Sequence, residues 1–337
     1  MEALETDRLD AFAPTHPALI HGHGVTDTIG KPLSWEDIQR PDFESEYDFT
    51  WLHFDVNASD TAAWIEARGD IPLEARRWLL ADETRPKMSQ FENGIFVNLR
   101  GVNLSEGAEA EDMVSIRIWC DERRVITTRR RFLKSIQDVR LIVREKGGPA
   151  NTGQLVALLA QRLTLRVEPY IAIIGDKIDD LEETVLTGES ENCRSKLAEV
   201  RHDAVLLRRF MAPQREALTH LAQLSGGLFD ERSQIDLREV ADDVTRMTEE
   251  IDAARERAMV LQDQLTDQRA EEMNRNMMVL SVVAAIFLPL GFLTGLFGIN
   301  VGGMPGVESA IAFWVIVGLC LAIAVGLLVY FRMKKWI

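Results

Sequence analysis

The chain has 337 residues and carries 38 Lys and Arg side chains against 53 Asp and Glu side chains, for a net charge of −15. Such an acidic chain is not expected to bind nucleic acid, because phosphate binding requires a basic face. Its three cysteines form no C-x-x-C pair, so we expect neither a disulfide framework nor a thiolate zinc site. The common P-loop, zincin and nucleophile-elbow motifs are also missing, so we expect no enzymatic activity and no tightly bound cofactor.

The first part of the chain is predicted to be soluble. Residues 1–30 are expected to form a loose tail, in which His16, His21 and His23 are solvated, with zinc binding as the alternative. Residues 31–150 predict a cytosolic α/β domain, because apolar runs at 50–56, 94–102, 114–119 and 124–128 are typical of strands. A single helix is expected over residues 60–81.

A helical layer follows over residues 151–236, where Pro169 and Pro213 are expected to kink or divide the helices. From residue 237 the apolar side chains then repeat in alternating steps of three and four, which is the pattern of a heptad seam. The seam consists of Leu237, Val240, Val244, Met247, Ile251, Ala254, Ala258, Leu261 and Leu265. It predicts one stalk helix over 237–297 that packs against other copies or neighbouring helices, with a plain coiled-coil stalk as the alternative.

Two uncharged apolar segments close the chain, at residues 277–297 and 310–331. A hydrocarbon core of about 30 Å needs about 20 apolar residues in a helix, so both segments are predicted to span a membrane. Basic residues precede the first segment and lie in the tail at 332–337, whereas the loop at 298–309 has no Lys or Arg. The positive-inside rule therefore places both termini in the cytosol and the loop outside.

A set of short motifs gives this hairpin a family resemblance. Gly298-Ile299-Asn300 ends the first span, and Asn274, Leu288-Pro289 and Gly303-Met304-Pro305 flank it in order and spacing. This arrangement resembles the CorA superfamily of divalent cation transporters, whose signature is Gly-Met-Asn. The isoleucine variant is similar to the ZntB branch of zinc transporters, and the soluble run Leu99-Arg100-Gly101-Val102-Asn103-Leu104 is similar to that branch as well.

The resemblance implies a fold class and an activity. The expected fold is an α+β cytosolic domain, a helical layer, one very long helix entering the membrane and a two-helix C-terminal transmembrane hairpin, assembled as a funnel-shaped CorA-like homopentamer. It implies transport of divalent ions across the bacterial inner membrane, with proton-linked zinc uptake as the leading function. A magnesium, cobalt or nickel channel of the same fold and a non-transporting membrane-anchored scaffold or signalling protein are the alternatives.

The candidate site residues lie on the stalk helix and the loop. The resemblance places Gly298, Ile299 and Asn300 at the outer mouth, where repeated Asn300 carbonyls would contact a hydrated ion. Seven residues in helical steps of three or four share one face and are the pore-lining candidates: Asn274, Met277, Leu280, Ala284, Leu288, Gly291 and Gly295. Periodicity alone favours lipid contact or helix packing for the apolar members. Asp263 is a candidate for the cytosolic funnel.

Overall fold

The structure, a computed structural model, describes residues 16–82, 85–104, 107, 111–145, 147–187, 193–224, 227–299, 306, 309–334 and 336. The chain divides into two compact units, the first ending at Leu261 and the second running from Gln262 to Ile337. The predicted order of an α+β domain, a long helix and a C-terminal apolar helix is confirmed.

The first unit is built on one seven-stranded sheet in the order β2-β1-β3-β7-β6-β5-β4. The strands are β1 Leu19–Thr26, β2 Ile29–Leu33, β3 Phe49–Asp55, β4 Lys87–Phe91, β5 Gly94–Gly101, β6 Val114–Cys120 and β7 Arg124–Arg129. Neighbouring strands are antiparallel except β3 and β7, which are parallel. The four strand runs predicted from the sequence correspond to β3, β5, β6 and β7.

The prediction of a loose tail as far as residue 30 is wrong. Strand β1 occupies Leu19–Thr26 and pairs with both β2 and β3. A turn at Asp27 and Thr28, both with positive φ, joins β1 to β2. The sequence concealed this strand because polar histidines occupy positions at which a buried strand usually has apolar side chains.

Two short helices, α1 Ser59–Glu66 and α2 Leu73–Leu80, replace the single helix predicted over 60–81. Gly69 and Pro72 lie in the break between them, which explains the division. Their apolar faces pack with one face of the sheet in a core that includes Leu52, Phe54 and Trp119.

Three further α-helices precede the stalk in the described part of the first unit: α3 Lys134–Arg144, α4 Thr152–Thr187 and α5 Cys193–Gln223. Pro169 and Pro213 lie inside α4 and α5, and neither proline ends its helix.

The stalk helix, α6, runs over Glu231–Gly298 and therefore begins before residue 237. Asp230 caps it by accepting the Ser233 backbone N–H at 2.9 Å. Burial raises the pKa of Asp230, but hydrogen bonds from Ser233, Gln154 and Asn151 prevail and lower it to about 2. The Asp230 carboxylate stays ionised at neutral pH, and its negative charge interacts favourably with the positive end of the helix dipole.

The heptad seam of α6 is buried in the single chain. Ion pairs join α6 to the chain's own helices on either side: Arg246 to Glu168 and Arg257 to Glu182 on α4, and Asp252 to Arg208 on α5. The sequence left open whether the seam packs against other copies or against neighbouring helices. In the structure it packs against neighbouring helices of the same chain.

The second unit contains the remainder of α6 and the last helix, α7 Ala312–Met333. Both α6 and α7 contain a segment long and apolar enough to cross a membrane. Little of either segment is buried inside the chain itself.

Candidate functional site

The two apolar helices of the second unit contact each other along one stripe each. Within residues 277–298 of α6 the more buried positions are Val282, Ile286, Pro289, Leu290 and Leu293. On α7 they are Ala312, Ile316, Cys320, Ile323, Ala324, Leu327 and Phe331. Spacings of three and four residues connect the members of each list, as on one face of a helix. An apolar groove between the helices, lined by Leu290, Thr294, Phe313 and Ile316 among others, continues this contact.

The seven pore-lining candidates lie on the other side of α6. All seven are exposed in the single chain. Successive residues of an α-helix are rotated by about 100° about its axis, so each side chain can be placed by its angle from that of Met277, here called the Met277 direction. Five of the seven candidates, Met277 included, lie within about 40° of the Met277 direction, and Asn274 and Leu280 lie about 60° from it. The more buried α6 positions lie about 120° to 220° from that direction. The hairpin contact therefore leaves the predicted pore face uncovered, which makes it available to other copies or to a water-filled path.

The outer-mouth candidates are only partly described. Gly298 is the last residue of α6, and Ile299 follows it with an exposed side chain. Asn300 lies outside the described residues, so its predicted role stays a prediction. A Cβ at Gly291, Gly295 or Gly298 would meet no atom within 4 Å in the single chain, so packing within the chain does not require glycine there.

Asp263 is exposed on α6. Its helical position is about 40° from the Met277 direction, on the same face as the pore-lining candidates. Among the described residues, no group of three or more His, Cys, Asp and Glu side chains is arranged to hold a metal ion.

Sequence reasoning missed one polar residue of the α6 face. Ser281 lies about 40° from the Met277 direction, and its hydroxyl donates to the Met277 carbonyl at 2.8 Å. Thr294 makes the equivalent bond to the Leu290 carbonyl at 2.9 Å but lines the groove against α7. The signal was available in the sequence, since helical spacing places Ser281 one turn from both Met277 and Ala284.

A second polar site lies in the first unit, around Arg124. Its guanidinium contacts Asp121 at 2.8 Å, Glu44 at 3.1 Å and also Asp70. Burial lowers the pKa of Arg124, but Asp121 and Glu44 prevail and raise it above its usual value. The surrounding pocket includes Glu92 and Glu122. The arrangement fixes one buried cation among several carboxylates and has the character of a structural ion-pair network.

A third site, also missed, is a buried histidine cluster on the opposite face of the sheet from α1 and α2. His21 and His23 on β1 and His53 on β3 are all buried. The ring centroids of His21 and His53 are 5.0 Å apart, and those of His21 and His23 are 5.1 Å apart. The spacing of His21 and His23 two residues apart was visible in the sequence, but His53 joins them only through strand pairing.

Comparison with known proteins finds a matching family, similar sequences and a similar solved structure. The family described as "CorA-like Mg2+ transporter protein" matches residues 46–335. The chain is 37% identical over 289 residues to "Divalent cation transporter CmaX" of Pseudomonas aeruginosa, covering 85% of this chain and 87% of that protein. It is 31% identical over 287 residues to "Zinc transport protein ZntB" of Yersinia enterocolitica, covering 85% and 88%. The solved structure of full-length CmaX superposes with a TM-score of 0.81 at 34% identity, covering 95% of this chain and 99% of that one.

Proposed function

Because this chain belongs to the family of CorA-like Mg2+ transporter proteins, we propose that it moves divalent metal ions across the bacterial inner membrane through a central pore, with zinc as the main substrate and uptake as the direction. The observation that carries the proposal is the uncovered α6 face. This face consists of the seven pore-lining candidates, which lie on the side of α6 that does not contact α7.

A homopentamer provides the enclosure that the pore requires. One hairpin has two spans and cannot surround a hydrophilic path by itself. Repeating α6 around an axis would bring five copies of its free face together, while α7 on the opposite side would contact lipid. The length and apolar composition of both helices support a bilayer as their environment.

The chemistry of the face favours a hydrated ion. Most of its residues are apolar or small, and no carboxylate or imidazole occurs within residues 277–298. Stripping water from a divalent ion there would be prohibitive. Asn300 carbonyls at the outer mouth would instead contact the ion through its water shell, and rings of Met277, Leu280 and Leu288 would form dewettable constrictions. Proton linkage would need a titratable group outside this segment.

Zinc is favoured over magnesium, cobalt or nickel by likeness to proteins named for zinc transport. The decisive experiment is ion flux into proteoliposomes containing the purified full-length chain, with Asn300→Ala as a variant and magnesium as a competitor. Zinc entry that is lost in the variant and persists under excess magnesium is expected. Magnesium entry with little zinc entry would move the protein to the alternative substrate class.

A pair of neighbouring cysteine substitutions tests the pore face itself. Leu288 and Phe287 are 75% and 67% exposed in the single chain. They lie at almost the same depth but point about 100° apart, with only Leu288 on the proposed pore face. In a background with Cys320→Ala, a water-soluble cationic methanethiosulfonate should block zinc entry through Leu288→Cys and leave Phe287→Cys active.

The outcomes separate the candidate functions. Equal block at both cysteines, or at neither, would refute the assignment of the pore face while leaving transport intact. A folded oligomer that passes no divalent ion at all would favour the scaffold or signalling alternative.

A further inference from the structure

The buried histidine cluster of the first unit has no role in the proposed pore, and its surroundings are unusual for three titratable side chains. His21 and His23 point from β1, and His53 from β3, into the layer between the sheet and helix α3. The Trp51 indole lies within it, with its ring centroid 4.5 Å from that of His21 and 6.0 Å from that of His23. Imidazole–imidazole contact therefore replaces the aliphatic packing that usually fills such a layer.

Most of the imidazole nitrogens in the cluster have no hydrogen-bond partner among the residues that the structure describes. No residue in the described chain pairs with Nδ1 or Nε2 of His21, Nδ1 of His23 or Nε2 of His53. One ring nitrogen, Nδ1 of His53, lies 2.8 Å from Thr127 Oγ1. That hydroxyl also accepts a hydrogen bond from Trp51 Nε1 at 3.0 Å. Buried polar atoms without partners destabilise the closed state, since water would satisfy them once the layer opens.

The charges that act most strongly on the cluster in the described chain are those of three arginines. Arg129 on β7 acts on His21 and His53, Arg140 on α3 acts on all three imidazoles, and Arg144 on α3 acts on His23. No carboxylate in the described chain is among the charges that act on them, although Asp55 faces Arg129. A proton on any imidazole of the closed cluster would meet burial and like charge together.

These surroundings keep the histidines neutral while the layer is closed. Burial is the main cause that lowers the pKa of His23 to about 3, followed by Arg140 and Arg144. Burial also holds the pKa values of His21 and His53 well below the usual 6.5, with neighbouring histidine and arginine side chains adding to the effect. Once exposed, each imidazole would regain an ordinary pKa and take up a proton below about pH 6.5.

We propose that the cluster of His21, His23 and His53 is a proton-operated release for the β1–β2 end of the sheet. The position of β1 makes a local opening possible, because only β2 lies outside it in the strand order. Opening exposes the three imidazoles, protonation traps them outside, and like charge with Arg129, Arg140 and Arg144 opposes closure. Acidification of the compartment that contains the first unit would therefore loosen this end of the sheet first.

The linkage has a defined sign and size. The closed state binds fewer protons than the open one, so closure is favoured above about pH 6.5 and is lost as the pH falls below that value. Between pH 6.5 and 5.5, each freed imidazole raises the opening constant about 5-fold, so three together raise it about 150-fold. Two remaining histidines would raise it about 30-fold.

Hydrogen exchange of the full-length protein in detergent micelles measures this opening. Protection of a peptide covering Leu19–Thr26 is compared with that of one covering Val114–Cys120 at pH 7.5, 6.5 and 5.5, after correction for intrinsic exchange. The first peptide should open about 150-fold more between pH 6.5 and 5.5, whereas the second should change far less. His21→Phe should reduce the effect to about 30-fold. His202→Phe, at an exposed helical histidine, should leave it unchanged.

A second measurement does not depend on the folding of any histidine variant. The protein labelled with 5-fluorotryptophan should show a pH-dependent fluorine resonance for Trp51, assigned with Trp51→Phe, between pH 7.5 and 5. An opening constant that is independent of pH in the wild-type protein, or a pH response that His21→Phe leaves intact, would overturn the proposal. Zinc added at pH 7.5 should not alter β1 protection, and protection gained with zinc would identify a metal site in place of a proton release.

Discussion

Replacing Arg124 with methionine should strongly destabilise the first unit. The Arg124 side chain is only 7% exposed and forms ion pairs with Asp121, Glu44 and Asp70. Its removal leaves three carboxylates near one another, with Arg68 at 3.9 Å from Glu44 as a weak remaining partner. Breaking a buried ion pair from one side typically costs about 3–5 kcal/mol.

The matched control is Arg131→Met. Arg131 pairs with Asp112 at 2.6 Å, but the two side chains are 60% and 62% exposed. Such a solvent-exposed pair contributes about 0–1 kcal/mol. For a domain of this size, about 2–4 °C of melting temperature corresponds to each kcal/mol. The expected losses are therefore about 6–20 °C for Arg124→Met and under about 4 °C for Arg131→Met.

Thermal unfolding of the full-length chain in detergent, followed by tryptophan fluorescence, measures both losses. Trp119 reports on the site because its indole N–H donates to Asp121 at 3.0 Å. Burial raises the pKa of Asp70, but the hydrogen bond and charge of Arg124 prevail and hold it below its usual value. The stabilisation from the Arg124–Asp70 pair is present above about pH 4 and is lost as the pH falls. The melting temperatures of the wild-type protein and Arg124→Met should therefore converge in acid. Equal losses for both arginine variants would refute the reasoning.

Three further predictions follow from the same structure. Gly153→Ala should destabilise the first unit by about 1–3 kcal/mol, because the new Cβ would lie 2.1 Å from the Leu228 carbonyl oxygen. Gly175→Ala places its Cβ near no other atom and should stabilise helix α4 by about 0.5–1 kcal/mol. Chemical unfolding measures both changes, and similar losses of stability in the two variants would contradict the role of the Leu228 contact. If the α6 face lines the pore, Ser281→Ala should change the ratio of zinc to magnesium entry in proteoliposomes and Thr294→Ala should not; an unchanged ratio in both would remove Ser281 from the permeation path. Burial raises the pKa of the Cys120 thiol to about 12, so maleimide should modify it at pH 7.5 only after unfolding, which mass spectrometry would detect.

Some features were predictable because their causes are local. The apolar segments at 277–297 and 310–331 are set by length and composition alone, since a bilayer selects both properties residue by residue. The face that combines Met277, Ala284, Leu288, Gly291 and Gly295 follows from helical periodicity in the same way. That this face lies opposite the α7 contact required the structure, because the sequence of α6 does not state which of its apolar sides receives α7.

The heptad seam shows the boundary between the two kinds of information. Its spacing predicted a buried stripe on the stalk helix, and the stripe is buried. The partner was left open, because a repeat of three and four accepts any helix with a matching stripe. Ion pairs from Arg246 and Arg257 to α4, and from Asp252 to α5, show that the chain supplies both partners itself.

The histidines mark what only the tertiary structure decided. In the sequence, His21 and His23 lie in a stretch with several glycines and no apolar core pattern, which predicted a solvated tail. Pairing of β1 with β3 places His21 opposite His53 and His23 opposite Trp51. Strand β1 pairs not only with the adjacent β2 but also with β3, which lies more than 20 residues away. Burial of these side chains also depends on a helix farther still. The sequence thus determined the membrane segments and the periodic faces, whereas long-range strand pairing determined which polar side chains became buried together.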